Sequence, residues 1–147
     1  LSKGISSGEV VALHGDFTPN CISILFALIE NNNIIVPLDY QQIKKNKKKL
    51  EIACVSKSIS VDNEDQVFFT DLEHKKVNVF YEKLQLINRP GLVLFTSGTS
   101  GEPKAAIHDL VKLLEKFKIR TTSLRTLNFL LFDHWGGLNT MFHTLSN

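Results

Sequence analysis

The sequence predicts an α/β fold in which strands and helices alternate around a largely parallel sheet. Three observations predict it. Two short apolar runs, residues 9–14 (EVVALH) and 34–38 (IIVPL), flank a stretch with helical spacing of apolar side chains. A continuous apolar run at 92–95 (LVLF) has the pattern of a strand buried on both faces. It leads directly into a loop of glycines and hydroxyl residues. The 147 residues are 43% hydrophobic and 22% charged, which is globular composition and enough for one domain.

The first run ends at Gly15-Asp16, where Asp16 or Thr18 supplies an N-cap and Pro19 sits in the first helical turn. Cys21, Ile22, Leu25, Phe26 and Ile29 then form an apolar stripe. Asn31, Asn32 and Asn33 end the helix, because Asn tolerates the left-handed conformation of a C-terminal cap. Strand, helix and strand in this order make a βαβ unit with parallel pairing. Residues 41–50 contain five lysines with no aromatic residue between them, and they read as the solvated face of a connecting helix. Residues 52–61 read as a strand with Cys54 inside it. Residues 67–70 and 76–81 read as two further β-type runs, separated by a polar turn at Glu73 and His74. Arg89-Pro90-Gly91 is a turn. The stretch 109–117 reads as an amphipathic helix, with Asp109 as its N-cap and His108 a structural residue before it.

Composition excludes several classes of function. A net charge of +2 gives no case for nucleic acid or for a membrane surface. The longest apolar stretch, 21–29, is about half of the roughly 20 residues a membrane span needs. No signal peptide is visible, and two cysteines suit a reducing, cytoplasmic compartment. Cys21 and Cys54 both read as small buried hydrophobes. No histidine has a partner at metal-ligand spacing, so no metal site is expected. The chain opens on Leu1 rather than Met and closes without a finishing signal, as a piece of something longer would.

The chemistry is concentrated in Thr96-Ser97-Gly98-Thr99-Ser100-Gly101-Glu102-Pro103-Lys104. Two glycines and four hydroxyl residues in six positions let the backbone curl and point several N–H groups at one anion. Lys104 adds a point charge on a flexible stem. The spacing differs from that of the P-loop, whose glycines are five apart and whose lysine directly follows the second.

Residues 95–108 resemble the phosphate-loop signature of the adenylate-forming superfamily, which includes acyl-CoA synthetases, nonribosomal adenylation domains and luciferases. Residues 10–39 are similar to the early βαβ segment of that family, with its VPLD run. Residues 132–138 (FDHWGGL) resemble its later Asp-His-x-Gly-Gly segment beside the carboxylate pocket, with Trp135 where an aliphatic residue is more usual.

The resemblance implies a parent enzyme, an acyl-CoA synthetase or acyl-adenylate ligase. Its substrates would be a small-molecule carboxylic acid and ATP with Mg²⁺, and its products an acyl-adenylate and pyrophosphate. Coenzyme A or a carrier phosphopantetheine thiol would then take the acyl group. Thr96, Ser97, Gly98, Thr99, Ser100, Gly101 and Lys104 would hold the ATP phosphates, and His134, Trp135 and Gly136 would line the acyl pocket. The adenine and ribose segments and the C-terminal lid domain of the family have no counterpart here. The chain thus reads as a partial N-terminal AMP-binding domain, residues 1–147, with no catalytic residue of its own and inactive alone. A truncated sheet leaves an open edge, so self-association is expected. Two other readings stand beside this one: a non-catalytic module that binds phosphate or a partner, and an unrelated α/β module with a chance loop.

Overall fold

The computed structural model of the chain describes residues 4–72, 78–97 and 102–147. Its strands are β1 (Val10–Gly15), β2 (Ile34–Asp39), β3 (Lys57–Val61), β4 (Val67–Asp71), β5 (Gly91–Ser97) and β6 (Pro103–Asp109). Its α-helices are α1 (Pro19–Glu30), α2 (Lys47–Ile52), α3 (Val79–Leu86), α4 (Leu110–Leu114) and α5 (Trp135–Ser146). The strands form one mixed sheet in the order β4-β3-β1-β2-β5-β6. The centre, β3-β1-β2-β5, is parallel, and β4 and β6 close the two edges as antiparallel partners. The expected βαβ unit is present, with Val10 opposite Ile34 and Gly15 opposite Asp39.

Alternation along the strands splits the core into two layers. Val11, Leu13, Ile35, Ile59 and Leu92 face Cys21, Leu25 and Leu28 of α1, Leu110 of α4, and Leu138, Met141 and Phe142 of α5. Val10, Ala12, Ile34, Val36 and Val93 face Ala53, Val55, and Tyr81 and Leu84 of α3. Helices on both faces bury β1 throughout and β2 as far as Leu38, as parallel pairing requires. The stripe of α1 sits differently from expectation. Cys21, Leu25 and Leu28 carry the burial, while Phe26 is 39% exposed and meets Phe142 edge to face. Asp109 caps α4 as expected, accepting from the Lys112 N–H at 3.2 Å.

Three expectations are corrected. Residues 52–61 are not one strand: Ile52 ends α2, Cys54 occupies a left-handed turn (φ 51°), and the strand is confined to β3. The Cys54 N–H donates to the Glu51 carbonyl and the Val55 N–H to the Leu50 carbonyl, which is a Schellman cap. Half-buried Cys54 here does the work of a glycine, so it is a turn residue rather than a strand hydrophobe. The same cap closes α1 at Asn32 (φ 57°) and α3 at Asn88 (φ 48°). Secondly, the run read at 76–81 is helical from Val79, because the Asn78 side chain caps α3 by accepting from the Phe80 N–H at 3.0 Å. The polar turn at 73–77 lies outside the described residues. Thirdly, the lysine run divides between a 3-10 turn (Tyr40–Lys45) and α2, and Lys49 is not on a solvated face.

Leu13 sits in the middle of β1 with no exposed surface. Leu13→Ala is expected to cost about 2–5 kcal/mol of stability, read as a fall in the urea midpoint with an unchanged slope.

Candidate functional site

Parallel strands all present their C-terminal ends at one edge of the sheet, which is where open α/β sheets bind ligands. Here that edge carries Gly15, Asp39 and Ser97. A cleft of about 410 Å³ opens there, lined by Gln42, Lys49, Phe95, Thr96, Pro103, Leu131, Asp133 and His134. Thr96 ends the apolar run of β5, and His134 precedes α5. The two segments that resemble the adenylate-forming family, far apart in sequence, thus line one cleft.

The described part of the hydroxyl-rich loop is its two ends. Ser97 pairs with Pro103 and Thr96 with Lys104 across the antiparallel β5-β6 ladder. Opposite residues on paired strands project to the same face of a sheet, which places the exposed Lys104 beside Thr96. Gly98, Thr99, Ser100 and Gly101 lie outside the described residues. Glu102 forms an ion pair with Lys48 of α2, with both side chains exposed.

The opposite wall is built by the turn before α5. Phe132 is buried and meets Phe17 edge to face at 5.4 Å, which anchors the turn to the core. The His134 N–H donates to the Leu131 carbonyl at 3.2 Å, and the His134 carbonyl accepts from Leu138 to start the helix. A Cβ at Gly137 would lie 2.5 Å from the Leu131 carbonyl oxygen, so the second glycine of the motif permits this close approach. Trp135 and Gly136, the other residues proposed for an acyl pocket, are not among the described residues lining the cleft. Trp135 packs on the core layer of α1 and α5 with Lys116 5.2 Å above its ring, and Gly136 lies against Leu130.

Sequence reasoning gave no role to two charged residues here, Asp133 inside its motif and Lys49 in the lysine run. The Asp133 carboxylate is 10% exposed, with Oδ2 at 3.6 Å from Lys49 Nζ and Oδ1 at 3.6 Å from His134 Nε2. Lys49 also stands 5.7 Å from the centroid of the Phe95 ring. One signal could have found it. Lys49 lies four residues before Ala53, which places it on the inward face of α2. Behind the cleft, His14 is buried at the end of β1, and its Nδ1 has no hydrogen-bond partner. Burial first, and the Lys49 ammonium second, hold its pKa down from 6.5 to about 4. Burial, followed by the charges of Asp16 and Asp65, pushes Cys21 up to about 12, so it is no nucleophile. Among the described residues, no group of three His, Cys, Asp or Glu could hold a metal ion. No helix among them is long and apolar enough to cross a membrane.

No protein-family model and no curated protein matches the sequence. Solved structures do. The Klebsiella oxytoca NpsA N-terminal subdomain in complex with 3-hydroxyanthranilyl-AMSN is 16% identical with a TM-score of 0.69, over 97% of this chain and 40% of that one. The same subdomain with 3-hydroxybenzoyl-AMSN is 17% identical, at the same TM-score and coverage. A variant of E. coli MenE with bound OSB-AMS is 19% identical with a TM-score of 0.64, over 99% of this chain and 34% of that one. The chain therefore has the fold of the N-terminal portion of adenylate-forming enzymes, and it spans about two fifths of the length of these structures or less.

The pH dependence of stability follows from His14. The folded protein holds this imidazole neutral down to about pH 4, whereas the unfolded chain takes up its proton near 6.5. The unfolded state binds more protons in that interval, so stability from this group is full above 6.5 and falls progressively toward pH 4. Urea midpoints at pH 7 and pH 5 are expected to differ in this direction, and His14→Leu should shrink the difference.

Proposed function

We propose that the chain is the N-terminal part of an ATP-dependent carboxylate-activating ligase, residues 1–147 being a partial AMP-binding domain. The observation that carries this reading is the meeting of Thr96 and His134 in one cleft at the C-terminal edge of the parallel strands. In this reading, the N–H groups and hydroxyls of residues 96–101, with Lys104, hold the β- and γ-phosphates of MgATP, the metal arriving with its nucleotide. The substrate carboxylate lies on the side of His134, Trp135 and Gly136. Carboxylate and triphosphate repel one another, so the protein's task is to fix both and to offset the charge that moves onto the departing pyrophosphate. A carboxylate oxygen then attacks the α-phosphorus, the bond to the β-phosphate bridge breaks, and acyl-adenylate forms. Transfer to coenzyme A or a carrier thiol follows, and a cytoplasmic setting supplies both nucleotide and thiol. His134 acts as a pocket residue and not as a general base. The 147 residues alone are not expected to turn over.

The test is pyrophosphate release by the protein that carries this chain, measured with MgATP and a panel of carboxylic acids. Release should depend on the acid and fall by about 10²–10³-fold in Lys104→Ala or Thr99→Ala, the usual loss for one such donor. Acid-dependent release untouched by either change overturns the assignment of the loop. No release with any acid favours a phosphate- or partner-binding module instead. Self-association belongs to the same proposal. β4 is the outer strand on its side of the sheet, and its Phe68 is 52% exposed. Light scattering of the chain should report dimers or larger species, and a monodisperse monomer refutes this.

A further inference from the structure

Three consecutive lysines open α2, and they have different surroundings. Lys47 is exposed, and Lys48 pairs with Glu102 in solvent. Lys49 is 24% exposed and turns inward, lining the cleft and lying over Phe95, with Asp133 Oδ2 at 3.6 Å. Asp133 is the deeper partner. Its carboxylate is nine-tenths buried, and Oδ1 has no hydrogen bond. Its neighbouring cations are Lys49 on one oxygen and, when protonated, His134 on the other. A buried carboxylate without a compensating charge is costly, and removing one partner of such a pair is far worse than removing both. Exposed pairs such as Lys48–Glu102 contribute little.

We propose that Lys49 is a positioning residue of the cleft, its ammonium compensating the buried Asp133 carboxylate and thereby fixing the turn that carries His134. Asp133 and His134 are adjacent, and α5 begins at the next residue, so a shift of the carboxylate toward solvent drags the cleft wall with it. The same ammonium contributes to keeping His14 neutral, which gives Lys49 a second neighbour at the C-terminal edge of the sheet. Charge supplied from α2 thus sets the geometry of a wall contributed from the far end of the chain. Only the ligand arm of the test below rests on the adenylation reading.

The chain has one tryptophan, Trp135, at the first residue of α5, so its single indole N–H resonance comes from the residue next to this turn. Lys49→Met should move that resonance, Lys49→Arg should restore it, and Lys48→Met should leave it in place. In parallel, calorimetry of the protein that carries this chain with 3-hydroxybenzoyl-AMSN should show about tenfold weaker binding for Lys49→Met and wild-type binding for Lys49→Arg and Lys48→Met. An indole resonance unmoved in Lys49→Met, or moved as far by Lys48→Met, overturns the proposal, as does failure of arginine to restore it. If Lys49→Met does not fold, Lys49→Met with Asp133→Asn removes the uncompensated charge and should fold. A double variant as unfolded as the single one also overturns it. If the protein that carries this chain binds no analogue, the adenylation reading loses support, and the indole resonance still decides the role of Lys49.

Discussion

Asn33 is the point on which the sheet depends. It has no exposed surface, and its hydrogen bonds reach three segments of the chain. Its N–H donates to the Leu28 carbonyl at 3.0 Å, which closes α1, and its own carbonyl accepts from the Gly91 N–H at 3.1 Å, which starts β5. Its side-chain amide donates to the carbonyls of Ser6 at 2.8 Å and Glu9 at 3.2 Å, while Oδ1 accepts from Asn31 at 2.9 Å. Each buried polar group left unpaired would cost about 1–3 kcal/mol, so no apolar residue can stand here cheaply. One amide therefore fixes where β1, β2 and β5 begin relative to each other. Strands that start together and run parallel also end together. The register set at this edge decides which residues arrive at the opposite one, where the cleft lies.

Much of this architecture was legible because its signals are local. The apolar runs of β1, β2 and β5, the proline opening α1 and the asparagines closing it each act within a few residues. What escaped was set by competing local signals or by tertiary contacts. Residues 79–81 are β-branched and aromatic, yet Asn78 caps a helix there, and the buried faces of Tyr81 and Leu84 hold it against the sheet. Cys54 in a left-handed cap defies propensity, since α2 must turn sharply for β3 to pair with β1. Asn33 was read only as part of a helix stop, because a hub of hydrogen bonds to distant carbonyls leaves no trace in spacing.

The site divides in the same way. Thr96 and His134 were identifiable from motifs, and the sheet brings both to one cleft. Asp133 opens the same motif as His134 but had no role assigned to it, and Lys49 carries no motif. Lys49 was masked by its lysine neighbours, which are solvated as a charge run ordinarily is. Only its burial on the inner face of α2, where Asp133 and Phe95 approach, separates it from Lys48. Equal residue types at successive positions on a helix face different environments because each step turns the side chain by about 100°. A charge run therefore states a composition, and the packing of the helix decides which member acts.

The antiparallel step from β5 to β6 has its own consequence for the loop. A helix following the loop would aim its dipole at a bound phosphate, as in a P-loop protein. A returning strand brings no such dipole, so in the proposed reading the positive charge comes from a side chain. The β5-β6 ladder runs without interruption from Gly91–Asp109 to Ser97–Pro103, which leaves Lys104 fixed opposite Thr96. Because side chains alternate along a strand, a slip of one residue would carry Lys104 to the other face and put Pro103 or Ala105 in its place. The regular pairing of the whole ladder, rather than the loop sequence alone, delivers the lysine to the face where the last described hydroxyl of β5 stands.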